Sequence, residues 1–502
     1  MIQDVIKRID EIAVQHPERI AYDDLGETNT YGELKARSDA YAIKIKTLGL
    51  PEKAPIMIWG GQTFEMIASF LGSVKAGHAY IPISDDSNVE RLTMIEEVSK
   101  SPLVIAITKL PTVMPDVMVL TPDHVPNVAQ EPADHDFVSG NDNYYIIFTS
   151  GTTGKPKGVQ ISHDNLLSFV NWELKDFDLP RSPSFLIQAP YSFDLSVMSL
   201  YPALVSGGKL VVLPRDVTEN IGRLFTVLPK LSFQVWVSTP SFAEMSFLDR
   251  TFDGKHHPQL THFLFCGEEL SHQTAQMLLK RFPDAHVFNT YGPTETTVAV
   301  TQVDITPEIL ARYDRLPIGK VKDDTQITIA SQTDDASGEG EILIAGPSVS
   351  KGYLNNPEKT AHAFETNGQQ LRYRSGDLGF FKDGLLFYRG RIDFQVKFNG
   401  YRIELQEINF YLSKHPLVRY GVVAPKYTRD HKVRQLVAVV VLKKQPDSTQ
   451  ATEQITKQLR QDLAHDLMPY MLPQRFVYQE DLPISSNGKV DLKAIIKEVN
   501  QA

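Results

Sequence analysis

Cysteine occurs once in 502 residues, at Cys266, which excludes an intramolecular disulfide and a cysteine-built zinc cluster. The fourteen histidines fall in no H-E-x-x-H or comparable spacing, so no structural metal is expected. A basic excess is missing as well. Lys and Arg number 51 against 61 Asp and Glu, a net charge of -10, and the scattered basic residues argue against a nucleic-acid partner. No apolar run of about 20 residues survives that could cross a membrane; the best candidate, 185–208, is broken by Pro190, Asp194 and Pro202. The first residues, with Asp4, Lys7, Arg8, Asp10 and Glu11, lack the apolar core of a secretory leader. A cytoplasmic chain without a transmembrane segment is therefore expected.

What is present is ordinary globular material: 42% hydrophobic and 22% charged residues, in a length that predicts about three lobes at ~150 residues each. Tyr31, Leu34, Tyr41, Ile45 and Leu48 share a helical face, with Thr30 placed to cap it and Gly49 to end it. Strands are expected at 54–60, 79–84 and 103–108, and helices at 62–75 and 89–98. This alternation predicts a layered α/β architecture with parallel pairing. From Gly338 the texture turns to short, glycine-punctuated strands that read as an antiparallel or barrel-like subdomain. After Arg391 it changes again: Leu405, Ile408 and Leu412 mark a helix, 436–442 a buried strand, and Ile455, Leu459, Leu463 and Leu467 a second amphipathic helix. That division predicts domains at 1–392 and 393–502, the second a small α+β unit.

Following the strand-like 143–148 come Thr149, Ser150, Gly151, Thr152, Thr153, Gly154 and Lys155, then Pro156, Lys157 and Gly158. Glycines let a backbone approach a polyanion, hydroxyls and N–H groups donate to phosphate oxygens, and lysines add positive charge. It is not a Walker A loop, because Thr149 and Pro156 stand where that pattern needs Gly and Ser or Thr. By itself the stretch could equally be a flexible turn. Four further motifs follow in order: 289–296 (Asn289, Thr290, Tyr291, Gly292, Pro293, Thr294, Glu295, Thr296), 373–377 ending in Asp377, 390–397 opening on Gly390 and Arg391, and 487–491 around Lys489.

This ordered set resembles the adenylate-forming superfamily of acyl-CoA synthetases, luciferase and peptide-synthetase adenylation domains, and the match spans nearly the whole chain. The resemblance implies an α/β fold: a large N-terminal domain of layered subdomains with a small antiparallel barrel-like one, and a small mobile C-terminal domain. It implies ATP and Mg2+ as cofactors. Residues 149–155, 289–294, Asp377, Tyr388, Arg389, Gly390 and Arg391 would then contact the nucleotide, Asp377 through the ribose hydroxyls and Thr294 through phosphate. Glu295 would hold Mg2+, for which a hard carboxylate oxygen is suited. Lys489, which alone would pass for a solvated turn lysine, becomes the catalytic lysine, and Asp393 the hinge. Leu492 departs from the basic residue often found there, which leaves the lysine's role intact.

Three residues bear on the acid. Asp194, in the 191–196 stretch, could cap the helix that follows, but in amino-acid-activating members an aspartate in this setting binds the α-ammonium. Cys266 alone would be read as small core filler. The run 261–270 around it resembles the D-alanine:D-alanyl carrier protein ligases, in which a cysteine here walls a very small side-chain pocket, with Val298 as another wall. The resemblance thus implies D-alanine as substrate and a separate carrier with phosphopantetheine as partner, in D-alanylation of teichoic acids, by a monomeric enzyme. Other small-acid ligases would share nearly every motif, and a non-catalytic adenylate sensor is the remaining class.

Overall fold

The computed structural model describes residues 1–126, 131–133, 136–151, 155–330, 338–368, 370–428, 431–446, 448–483 and 490–501. Two large sheets carry the N-terminal part. In the six-stranded sheet the order along the sheet is Met118–Leu120, Leu103–Ala106, Ile56–Gly60, Tyr80–Ser84, Asn143–Thr149 and Lys157–Ser162. All pairs are parallel except the last, an antiparallel hairpin that brackets the 149–158 loop. In the nine-stranded sheet, strands from Ser184–Ile187 through His286–Tyr291 pair in parallel, with antiparallel strands at both edges. The expected parallel pairing is thus present.

Between these sheets lie helices apolar nearly all round, as a helix sandwiched on both faces must be. In Phe64–Lys75 and Val197–Val205 almost every side chain is buried. Their apolar side chains share one cluster with strand residues from both sheets, such as Ile58 and Phe185. The helix expected from Tyr31 runs Tyr31–Thr47. Thr30 accepts from the Glu33 N–H at 3.2 Å while Glu33 accepts from the Thr30 N–H at 2.7 Å, a reciprocal cap. The 185–208 stretch is strand, turn and buried helix, and no described helix is long and apolar enough to cross a membrane.

Strands Gln326–Ala330, Gly340–Ala345, Phe364–Asn367, Gln370–Lys382 and Leu385–Arg391 form a five-stranded antiparallel sheet, as the glycine-punctuated pattern predicts. Beyond it, a short hairpin, Gln395–Phe398 with Tyr401–Glu404, leads into helix Leu405–Lys414. A three-stranded sheet and helix Thr449–Asp466 follow. These elements have an apolar core of their own, built from Ile403, Leu412, Leu436 and Leu463 among others.

Candidate active site

The mouth of the site is made where parallel strands end, the usual place for a ligand in an open α/β sheet. Strand His286–Tyr291 delivers the 289–296 segment, and Gly292 is required there because a Cβ would stand 2.5 Å from the Ala299 Cα. Just beyond, Thr297 (φ 60°) and Val298 (φ 66°) are consecutive β-branched residues in the left-handed region. Such a conformation costs about 1–3 kcal/mol each and marks a functional segment more often than a structural one. The segment brings the Val298 carbonyl within 3.7 Å of the Cys266 Sγ, and both residues line one cavity.

Around this wall lies a cavity of about 440 Å³ that brings together Asp194, Cys266, Gly292, Pro293, Thr294, Val298, Asp377 and Arg391. Asp194 opens a 3-10 turn, Asp194–Ser196, and the N-cap positions of that turn and of the helix behind it fall to Phe193 and Ser196, so helix capping is not its role. Desolvation pushes its carboxyl above the usual carboxylate range, against the pull of the Thr294 hydroxyl and Lys397. Asp377 lies between Tyr291, whose hydroxyl donates to it at 2.6 Å, and Arg391, which donates at 2.7 Å. Arg391 turns its other two nitrogens to Asp393 at 2.6 and 2.7 Å. Burial would raise the Asp393 carboxyl, but Arg391 holds it below its ordinary value.

Glu295 is fully buried. Burial would raise its pKa, yet the Arg402 guanidinium and Lys157 outweigh that and hold it at about 2. Its two oxygens accept from Arg402 at 2.7 Å and from the Tyr353 hydroxyl at 2.8 Å. A permanently ionised carboxylate with cationic compensation is chemistry that suits a hard divalent ion. At the phosphate-type loop, the Thr149 hydroxyl is buried without a hydrogen-bond partner among the described residues, a donor suited to an oxyanion. Ser150 Oγ donates to the Arg402 carbonyl at 2.7 Å, and the Gly151 N–H points to Glu407 at 3.3 Å.

Not every expected residue converges here. Asn289 and Thr290 are occupied with the carbonyls of Pro317 and Phe265, at 2.7 and 2.8 Å, and so hold the strand end in place. Arg389 pairs with Glu339 at 2.8 Å and Lys155 with Glu97 at 3.4 Å, both on the surface. Tyr388 and Gly390 line a neighbouring cleft of about 740 Å³ that shares Arg391 and Lys397 with the cavity. Thr152, Thr153, Gly154 and Lys489 lie outside the described residues. Four residues that touch Glu295 or the described part of the 149–158 loop were missed from sequence: Tyr353, Arg402, Glu404 and Glu407. Only Arg402 had a local cue, its place at the end of the glycine turn after the 390–397 motif.

That turn is the tip of the 395–404 hairpin, and it reaches into the site. Gly400 (φ 83°) lies so close to Thr239 that a Cβ would meet its methyl at 2.5 Å, and the Gly400 N–H donates to Glu268 at 2.7 Å. Tyr401 stacks on Tyr470 with ring centroids 3.9 Å apart, and Phe193, next to Asp194, meets both edge-on.

Residues 9–354 match the model of the AMP-binding enzyme family, and residues 407–489 that of the AMP-binding enzyme C-terminal domain. The chain is 55% identical to the D-alanine–D-alanyl carrier protein ligase of Lactiplantibacillus plantarum and 49% identical to that of Streptococcus agalactiae, covering all of each. Among solved structures, the Vibrio cholerae adenylation domain AlmE in complex with glycyl-adenosine-5'-phosphate superposes with a TM-score of 0.82 at 24% identity, covering 99% of this chain and 98% of that one. The holo-PA1221 peptide synthetase, containing adenylation and PCP domains, does so at 0.82 and 26%, covering 99% and 84%. Motif order, site geometry and full-length similarity agree: the chain belongs to the AMP-binding enzyme family of adenylate-forming ligases and, within it, to the D-alanine–D-alanyl carrier protein ligases.

Proposed function

We propose that this chain activates D-alanine with ATP as D-alanyl-AMP and transfers it to the phosphopantetheine thiol of a separate D-alanyl carrier protein, for D-alanylation of (lipo)teichoic acid. The observation that carries the reading is the meeting of Asp194, Cys266 and Val298 with Thr294 and Asp377 on one cavity. A carboxylate drawn partly out of water wants a cationic partner, and the half-buried Asp194 serves the substrate ammonium while Cys266 and Val298 confine its methyl group. A carboxylate is already a nucleophile, so the first step needs alignment and charge neutralisation rather than an activated side chain. The substrate carboxylate oxygen attacks the α-phosphorus as the bond to pyrophosphate breaks and pyrophosphate leaves with the bonding pair.

Lys489 bridges the carboxylate and the α-phosphate; the loop that opens with Thr149, Ser150 and Gly151 steadies the departing pyrophosphate; Asp377 holds the ribose. Mg2+, which Glu295 would hold, supplies charge neutralisation on the phosphate oxygens. In the second step the thiol loses its proton to solvent, its sulfur attacks the acyl carbon and AMP departs. The division at 392/393 lets the C-terminal domain move between the two steps, with Asp393 as hinge, the usual device being a few residues that absorb a dihedral change. Asp393→Pro, which fixes φ, slows thioester formation more than pyrophosphate exchange; equal loss of both refutes the hinge. The enzyme works as a cytoplasmic monomer.

Pyrophosphate exchange with D-alanine, L-alanine, glycine and acetate tests the reading. D-alanine gives the fastest exchange and acetate the slowest. Comparable rates with acetate remove the role of Asp194, and no exchange with any acid leaves an adenylate-binding sensor.

A further inference from the structure

In this structure the groups expected to receive magnesium pyrophosphate are engaged by side chains from beyond the hinge. The Arg402 guanidinium sits on Glu295 at 2.7 Å, and the Arg402 carbonyl takes the Ser150 hydroxyl at 2.7 Å. Glu407 accepts the Gly151 N–H at 3.3 Å. Glu404, three residues earlier, lies 3.7 Å from the buried Lys157. Both carboxylates are almost fully buried, at 5% and 4% exposure, and both feel the positive charges around the loop. Arg91 and Lys157 attract Glu407, while Lys359 is drawn to Glu404 and Glu407 together. A Cβ on Gly151 would stand 3.6 Å from the Lys359 Nζ, so that ammonium belongs to the same surface.

Burying two carboxylates this close to one another is unfavourable unless cations surround them. Arg91, Lys157 and Lys359 form such a surface on the N-terminal side. All three cations lie on the N-terminal side of the hinge, and Glu404 and Glu407, at the start of helix Leu405–Lys414, bring two carboxylates to them. Glu404 also has an internal role, accepting from Gln395 at 2.6 Å; among the described residues Glu407 accepts from the loop itself, through the Gly151 N–H.

We propose, resting on the function assigned above, that the C-terminal segment carries a built-in surrogate for magnesium pyrophosphate. Glu404 and Glu407 take the place of the two phosphoryl groups on the cationic surface, and Arg402 takes the place of the cation on Glu295. Pyrophosphate and this position of the hairpin therefore exclude one another. While the hairpin is seated, pyrophosphate oxygen has no bound position from which to attack the adenylate phosphorus and remake ATP, so the intermediate is committed to the thiol. Glu407 acts here as a positioning residue, through the loop it occupies.

The test is a partition experiment. Enzyme isolated with bound D-alanyl-AMP is mixed with phosphopantetheine-bearing carrier and graded pyrophosphate, and the D-alanyl thioester and ATP formed are both measured. The pH is kept above 7, the value to which burial pushes the Glu407 carboxyl. Removing one charge-assisted contact, Glu407→Gln lowers the pyrophosphate concentration that halves thioester yield by roughly fivefold. Glu407→Asp restores most of the difference. An unchanged half-point in Glu407→Gln overturns the proposal, including the case where thioester formation slows without added pyrophosphate, since that is a merely structural effect. Failure of the wild-type enzyme to exchange pyrophosphate with D-alanine would instead overturn the assigned function, so the two failures are distinct.

Discussion

Lys489→Ala lowers D-alanine-dependent pyrophosphate exchange by about a hundredfold to a thousandfold, the usual cost of removing one preorganised donor from developing negative charge. The step offers the protein little else to do: no bond to an enzyme side chain forms, and the barrier is the approach of an anionic carboxylate to an anionic phosphate. A single ammonium touching both lowers that repulsion directly. The substitution leaves the fold intact, because the described residues on either side of it are held together by the Asp491 N–H donating to the Pro483 carbonyl at 2.8 Å. Helix Leu492–Gln501 then packs Ile495 into the C-terminal core. Thermal unfolding of the variant therefore matches wild type, and transfer to the carrier from supplied D-alanyl-AMP persists. Exchange at the wild-type rate would remove Lys489 from the chemistry.

How much of this was legible in the chain depends on the range of the interaction concerned. Helix Tyr31–Thr47 and its cap were readable because Thr30 and Glu33 meet within one turn. The parallel sheet followed from alternation of elements, and the antiparallel one from glycine spacing. The site residues were readable as motifs, yet their positions relative to one another were not. Asn289 and Asp377 both stand in quoted motifs, but only Asp377 reaches the cavity, while Asn289 is spent on the Pro317 carbonyl. Nothing local distinguishes these two outcomes. Arg402 and Glu295 are separated by 107 positions in the chain, and their pairing depends on where a whole domain docks. The buried ion cluster of Lys75 with Asp10 and Asp39, at 2.7 and 2.6 Å, shows the same limit. In the sequence Lys75 is only the last residue of the helix expected over 62–75, and in the fold it is fully buried.

Asp194→Asn raises the KM for D-alanine by about a hundredfold, since stripping one member from a desolvated charge pair costs roughly 3 kcal/mol. Asparagine keeps the shape and the contact with Thr294, so the change isolates charge. The KM for ATP moves little, because the residues proposed to hold the nucleotide are others, and that split separates ammonium recognition from general damage to the cavity. The pH dependence carries the same signature. Burial pushes the free Asp194 carboxyl up, and Lys397 and Thr294 recover only part of it. An arriving ammonium favours the ionised form, so D-alanine binding is at full strength above the raised pKa and weakens as pH falls through it. In Asp194→Asn that acidic limb disappears from the profile of kcat/KM for D-alanine. An acidic limb that survives the substitution, or a KM for D-alanine within a few-fold of wild type, would mean that the ammonium is held elsewhere in the cavity.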